Sequence, residues 1–162
     1  MFYQLDFALR VCESTAFCLH AILALTEPYT GCLRNAFRDR GKKGGMPDWF
    51  WPFAGILLLV VAWCNFSTNN LVVLGTQAYI VAFHSGAVLY HLILEHDPLS
   101  GCAPSVFVVM AYIIMVMRTN VLVSTLISGV CVAAAYGLAR ILVYRPIKEN
   151  ERSTSQTYLL NN

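Results

Sequence analysis

From Trp49 to Leu94 the chain runs for 46 residues without a single Asp, Glu, Lys or Arg. Crossing a hydrocarbon layer of about 30 Å takes roughly 20 apolar helical residues, so this block alone has room for two spans. Pro98 to Met117 and Thr119 to Ala139 add uncharged blocks of 20 and 21 residues. With 57% hydrophobic and 12% charged residues over 162 positions, the chain carries about half the charge of an ordinary soluble domain. A water-soluble fold of this size cannot hide that much apolar surface. The alternation of a β-barrel strand is missing from the uncharged blocks, which leaves an all-α, multi-span transmembrane bundle.

Five spans are expected, at about 5–25, 49–66, 71–94, 103–117 and 121–144, in a single domain over 1–144 with a polar tail over 145–162. The stretch from Pro98 to Tyr144 would measure about 70 Å as one helix, more than twice the hydrocarbon thickness, so it must break. Arg118, Thr119 and Asn120 mark the break. A four-span chain with a half-membrane hairpin is the alternative. Arg34, Arg38, Arg40, Lys42 and Lys43 lie in the first loop, and Arg140, Arg145, Lys148 and Arg152 at the C-terminal end. Five spans put both clusters on one face, as the positive-inside tendency requires. A net charge of +2 gives no reason to expect nucleic acid as a partner. Met1 to Arg10 has neither a basic secretory start nor the character of a transit peptide, so no cleavable leader is expected there. The six cysteines have no CxxC spacing and read as small hydrophobes rather than as a disulfide or metal framework.

Polar residues inside the spans are the candidates for function, because ionisable groups at membrane depth are costly. Asp6, Arg10 and Glu13 follow one another at i, i+4 and i+7 on one helical face. Arg10 can reach both acids, which makes a self-neutralised cluster or, alternatively, a proton or ion relay. Gln77, His84 and His91 recur every seven residues and share a face that should point at protein. His84 and His91 are separated by about 10.5 Å along one helix, so they cannot clamp one haem between them. His20 is the one histidine that could serve as a cross-helix partner. A buried histidine hydrogen-bonded to a neighbouring helix is therefore expected at position 84, and a quinone or lipid tail beside Gln77 and His84 fits better than haem. His91 and Asp97, where the third span ends before Pro98, read as helix-end hydrogen bonders. Close in sequence to them are Glu95 and His96, without the spacing of a metal-hydrolase motif, and neither a nucleophilic triad nor a phosphate loop can be assembled. Asn65 opens a formal glycosylation sequon, but it hugs a helix end and modification is not expected. Thr125, Gly129, Ala133 and Gly137 make a ridge of small residues suited to close helix packing, and the fifth span is expected to pack through it.

The segments "MPDWFWPFAGILLLVVAW", "LGTQAYIVAFHSGAVLYHLILEHDP" and "PSVFVVMAYIIMVM" together resemble the DoxX-like group of small four-helix membrane proteins. The feature that weighs most is Gly86-Ala87-Val88, followed by His91 and then Asp97-Pro98. The resemblance runs from Met46 to Met117. It implies a compact four-helix core with an appended fifth span, and members linked to membrane oxidoreductase assemblies, to thiosulfate–quinone electron transfer or to the assembly of other membrane proteins. By that resemblance His91 and Asp97 are the positions to watch. Members commonly carry a glutamate just after the glycine of the second helix, whereas Gly55 here is followed by Ile56, Leu57 and Leu58.

The function expected from these features is a non-catalytic accessory or scaffold subunit of a multi-subunit bioenergetic membrane complex. Its partners would be other integral membrane subunits and lipids, in the mitochondrial inner membrane or, alternatively, the thylakoid. The alternatives are a quinone-linked electron-transfer subunit and a small transporter or assembly factor.

Overall fold

A computed structural model describes residues 2–30, 49–92 and 99–141. They form five helices: α1 (Phe2–Thr30), α2 (Phe50–Cys64), α3 (Asn70–Tyr90), α4 (Cys102–Arg118) and α5 (Val121–Ala139). All regular structure among the described residues is helical. In chain order α1 pairs with α2, while α3 packs against both α4 and α5, and α4 also meets α1.

The helix boundaries follow from local chemistry. Asn69 caps α3, its side-chain oxygen accepting from the Leu71 amide at 2.9 Å, and Asn120 caps α5 through the Val123 amide at 2.9 Å. Each offers an acceptor to an amide that has no carbonyl one turn earlier. Pro52 and Pro104 fall in the first turns of α2 and α4, where a missing N–H costs no helical bond. The expected break at Arg118 to Asn120 is present: Thr119 leaves helical geometry at φ −130°, ψ −104°, and Asn120 is extended at φ −161°, ψ 170°.

Three helical stretches, Tyr3–Thr26, Asn70–Tyr90 and Val121–Ala139, are long and apolar enough to cross a membrane. The other two apolar helices have 15 and 17 residues, or about 22 and 26 Å at 1.5 Å per residue. α1 extends beyond the expected 5–25 at both ends. α5 keeps α-helical bonding to Ala139 and helical geometry at Arg140, and positions 142–162, including the expected end at 144 and the polar tail, lie outside the described residues.

The radial distribution of side chains is inverted relative to a soluble bundle. Phe17, Ala21, Leu58, Val61, Ile80, Val81, Ala111 and Met115 form an apolar core, yet Asp6, Arg10, Glu13, Ser14, Asn65, Gln77 and Ser124 are buried with it. Large apolar groups cover the outside: Trp63 is 81% exposed, Leu71 77% and Val130 69%. In water such a surface would be an association hazard; against lipid tails it costs nothing, and the polar groups are the ones that must turn inward. Helix association then rests on close packing. Gly55 supplies the tightest contact, since a Cβ there would sit 3.0 Å from Leu25 Cγ and 3.2 Å from the Ala21 carbonyl oxygen.

The ridge of Thr125, Gly129 and Ala133 is exposed, Gly137 is half-buried, and a Cβ built on Gly129 or Gly137 would meet nothing within 4 Å. α5 is held in the bundle by a different face, carrying Ser124, Ile127, Cys131 and Ala135. Gly129, Ala133 and Gly137 thus face away from the other described helices, while Thr125, at the flank, meets Tyr112 of α4 at 3.0 Å. Residues four apart drift by about 40° around a helix, so the ridge winds around the side opposite the core contact.

Candidate functional site

The N-terminal end of α1 meets the C-terminal ends of α2 and α4 and the start of α3, and polar side chains from all four helices converge there. Asp6 is the hub. Arg10 Nε and Nη2 reach its Oδ2 at 3.0 and 2.9 Å, one turn along α1. Arg118, the last residue of α4, grips both carboxylate oxygens, Nε to Oδ1 and Nη2 to Oδ2, each at 2.8 Å. Arg118 Nη1 also donates to Asn70 Oδ1 at 2.8 Å, fastening α3 to the same point. A forked guanidinium on a carboxylate fixes orientation as well as distance.

Two helical turns further in, about 10 Å along α1, Glu13, Asn65 and Gln77 form a second layer. All three are 0% exposed. Glu13 Oε2 accepts from Asn65 Nδ2 at 3.0 Å and from Gln77 Nε2 at 3.1 Å. Gln77 Nε2 also donates to Asn65 Oδ1 at 2.7 Å. Arg10 links the layers, Nη1 donating to the Asn65 carbonyl at 2.6 Å. Ser14 Oγ donates to the Ala62 carbonyl at 3.3 Å, and Asn65 Nδ2 comes within 3.3 Å of both Ser14 Oγ and the Arg10 carbonyl. Among the described residues, Glu13 Oε1 and Gln77 Oε1 have no hydrogen-bond partner.

Above this layer the interior becomes aromatic. The His84 ring lies 5.4 Å from Phe17 and 4.9 Å from Phe107, centroid to centroid, and Phe17 and Phe107 are themselves 5.1 Å apart. The hydrogen bond of His84 closes within α3 rather than reaching a neighbouring helix: Nδ1 sits 3.0 Å from the Ile80 carbonyl one turn back; a carbonyl only accepts, so Nδ1 carries the hydrogen in that bond. Gln77 and His84 therefore do share an inward face, but they serve different surroundings. A quinone or lipid tail placed beside them would have to displace these contacts. His91 follows α3 as its C-cap, half-buried, with its ring edge-on to Tyr90 at 5.8 Å. Glu95, His96 and Asp97 lie outside the described residues.

Asp6 and Arg10 pair with each other and with Arg118, while Glu13 joins Gln77 and Asn65 through hydrogen bonds and forms no ion pair with Arg10. Sequence reasoning missed Asn65, Asn70 and Arg118 as members of the network. Asn65 and Asn70 sit in the polar run "NFSTNN", which has the look of a turn, and Arg118 has the look of a charge marking a membrane boundary. The burial of the Asn65 amide also removes it as a glycan acceptor.

No family model, curated protein or solved structure matches this chain.

Proposed function

We propose that this chain is a non-catalytic scaffold or accessory subunit of a larger membrane assembly, docking through the outer face of α5. The supporting observation is the direction of Gly129, Ala133 and Gly137 in the ridge that Thr125 begins: they are turned out of the bundle, with no described atom within 4 Å of a Cβ at Gly129 or Gly137. Small residues four apart let a second helix backbone approach closely, and in lipid that contact supplies much of the association energy. The network around Asp6 and Glu13 contributes differently, by locking α1 to α4 into one rigid body that can present α5. In this reading all five helices span, the two short ones with local thinning of the bilayer or with flanking residues completing the crossing.

The DoxX-like resemblance supports the same role, since it links proteins of this type to membrane oxidoreductase assemblies and to the assembly of other membrane proteins. It also favours a bioenergetic membrane, the mitochondrial inner membrane before the thylakoid. Native electrophoresis in mild detergent, with mass spectrometry of the excised band, tests the proposal. The chain should co-migrate with a stoichiometric membrane complex, and Gly129→Leu with Gly137→Leu should release it while the bundle stays folded. A wild-type chain that runs free, or a double variant that stays in the complex, would overturn the scaffold reading.

A further inference from the structure

The two orphaned oxygens of the inner polar layer belong to neighbouring groups. Gln77 Nε2 donates to Glu13 Oε2 at 3.1 Å and to Asn65 Oδ1 at 2.7 Å, so both amide hydrogens are committed and the amide cannot be turned over without facing two acceptors with a third. Its oxygen is left without a donor, and so is the second oxygen of Glu13. Both residues are 0% exposed. A buried acceptor without a donor keeps its full desolvation penalty, which is larger when it belongs to a charged group.

Neither arginine of the network hydrogen-bonds or ion-pairs with Glu13. Arg10, on the same helix, spends Nε and Nη2 on Asp6 and Nη1 on the Asn65 carbonyl. Arg118, from α4, is held by Asp6 and Asn70. α2 has no charged residue at all, and the only titratable side chains on α3 are Tyr79, His84 and Tyr90. His84 lies about 10 Å beyond Gln77 along α3, inside the Phe17–Phe107 stack. On α4, Cys102 opens the far end of the helix, and Tyr112, about 9 Å along it from Arg118, spends its hydroxyl on Thr125 of α5. Glu13 thus takes its hydrogen bonds from amides, and the Arg10 and Asp6 charges act on it only across space.

We propose that Glu13 and Gln77 form a proton-binding site, in which Glu13 Oε1 holds an exchangeable proton and donates it to Gln77 Oε1. The pair then closes as a neutral acid–amide ring, with Gln77 N–H to Glu13 Oε2 as the half already in place and Glu13 O–H to Gln77 Oε1 as the half the proton supplies. One proton answers both orphaned oxygens. The step is a single protonation, carboxylate plus proton giving carboxylic acid, with no electron moved and the proton drawn from the water phase. Because the folded bundle holds a proton that the unfolded chain would release, stability falls as pH rises and the site empties. The inference rests on α1, α2 and α3 and not on the α5 ridge, so it can fail or hold independently of the docking proposal.

Infrared spectroscopy of the purified full-length chain in lipid nanodiscs tests it. At neutral pH a carboxylic-acid carbonyl band should be present, shift in heavy water, and vanish in Glu13→Gln, whose new amide N–H can still reach Gln77 Oε1 and keep the thermal midpoint near that of the wild type. Glu13→Ala should melt well below both. Absence of the acid band in the wild type, as when an ordered water serves both oxygens and Glu13 stays ionised, overturns the proposal. So does a band that persists in a folded Glu13→Gln chain. Should Glu13→Gln not fold, Gln77→Leu decides: the band must move to the frequency of an acid without an acceptor, and an unmoved band refutes the pairing.

Discussion

Replacing Asp6 by alanine should do more damage than any other single truncation at the end of the bundle. The carboxylate accepts from Arg10 at 2.9 and 3.0 Å and from Arg118 twice at 2.8 Å, and its removal leaves two guanidinium groups facing one another. Breaking a buried ion pair by deleting one partner costs about 3–5 kcal/mol. The Arg118 side chain is 18% exposed and can recover some hydration, which places the expected loss near the lower figure. Arg118→Leu alone leaves the Asp6–Arg10 pair intact, and loses charged hydrogen bonds worth about 1.5–3 kcal/mol each, less what water already offset. In the double variant the two guanidinium groups no longer oppose each other. Its loss should therefore fall short of the sum of the singles by about 1–2 kcal/mol, within the range that contacting residues show. The assay is reversible unfolding in mixed lipid–detergent micelles by added dodecyl sulfate, followed by the fluorescence of Trp49, Trp51 and Trp63. Additivity of the two substitutions would refute the contact between α1 and α4.

Gly55→Leu should separate α1 from α2, because its Cβ would meet backbone at Ala21 and the Leu25 side chain at 3.0–3.2 Å; overpacking of this kind costs about 1–3 kcal/mol, readable in the same unfolding assay. Phe17→Ala empties the space between His84 and Phe107. In water a buried Phe→Ala change costs about 3–5 kcal/mol, but lipid is as apolar as the site and the transfer share of that cost is absent. The expected loss is about 1–3 kcal/mol. Treatment with a glycosidase should leave the mobility of the protein unchanged, since the Asn65 amide is enclosed and bonded to Glu13.

The helical class and the break after Arg118 were legible because both depend on local quantities: the length of uncharged runs, and a polar tripeptide that cannot sit in lipid. The Asp6–Arg10 pair was legible for the same reason, as i and i+4 on a helix leave little choice. Glu13 to Gln77 and Asp6 to Arg118 were not, because they join positions 64 and 112 residues apart, and residue spacing along one helix says nothing about which helix stands opposite. Asn65 and Asn70 were hidden by their setting. A polar run between two apolar blocks reads as a solvated turn, and only the antiparallel arrangement reveals that its ends fold back over the interior. The ridge on α5 shows the complementary limit: its four-residue spacing is plain in the sequence, whereas the side it faces depends on where Ser124 and Ala135 find their contacts.

The central claim is an inverted bundle, polar within and apolar toward lipid, and spin-label accessibility in liposomes addresses it most directly. Nitroxides placed singly at Ile22, Leu126 and Val130, all outward-facing, should be relaxed strongly by dissolved oxygen and weakly by a water-soluble nickel chelate, as sites in a hydrocarbon layer are. Strong relaxation by the chelate at these three positions would mean that the apolar surface faces water, and would contradict the account.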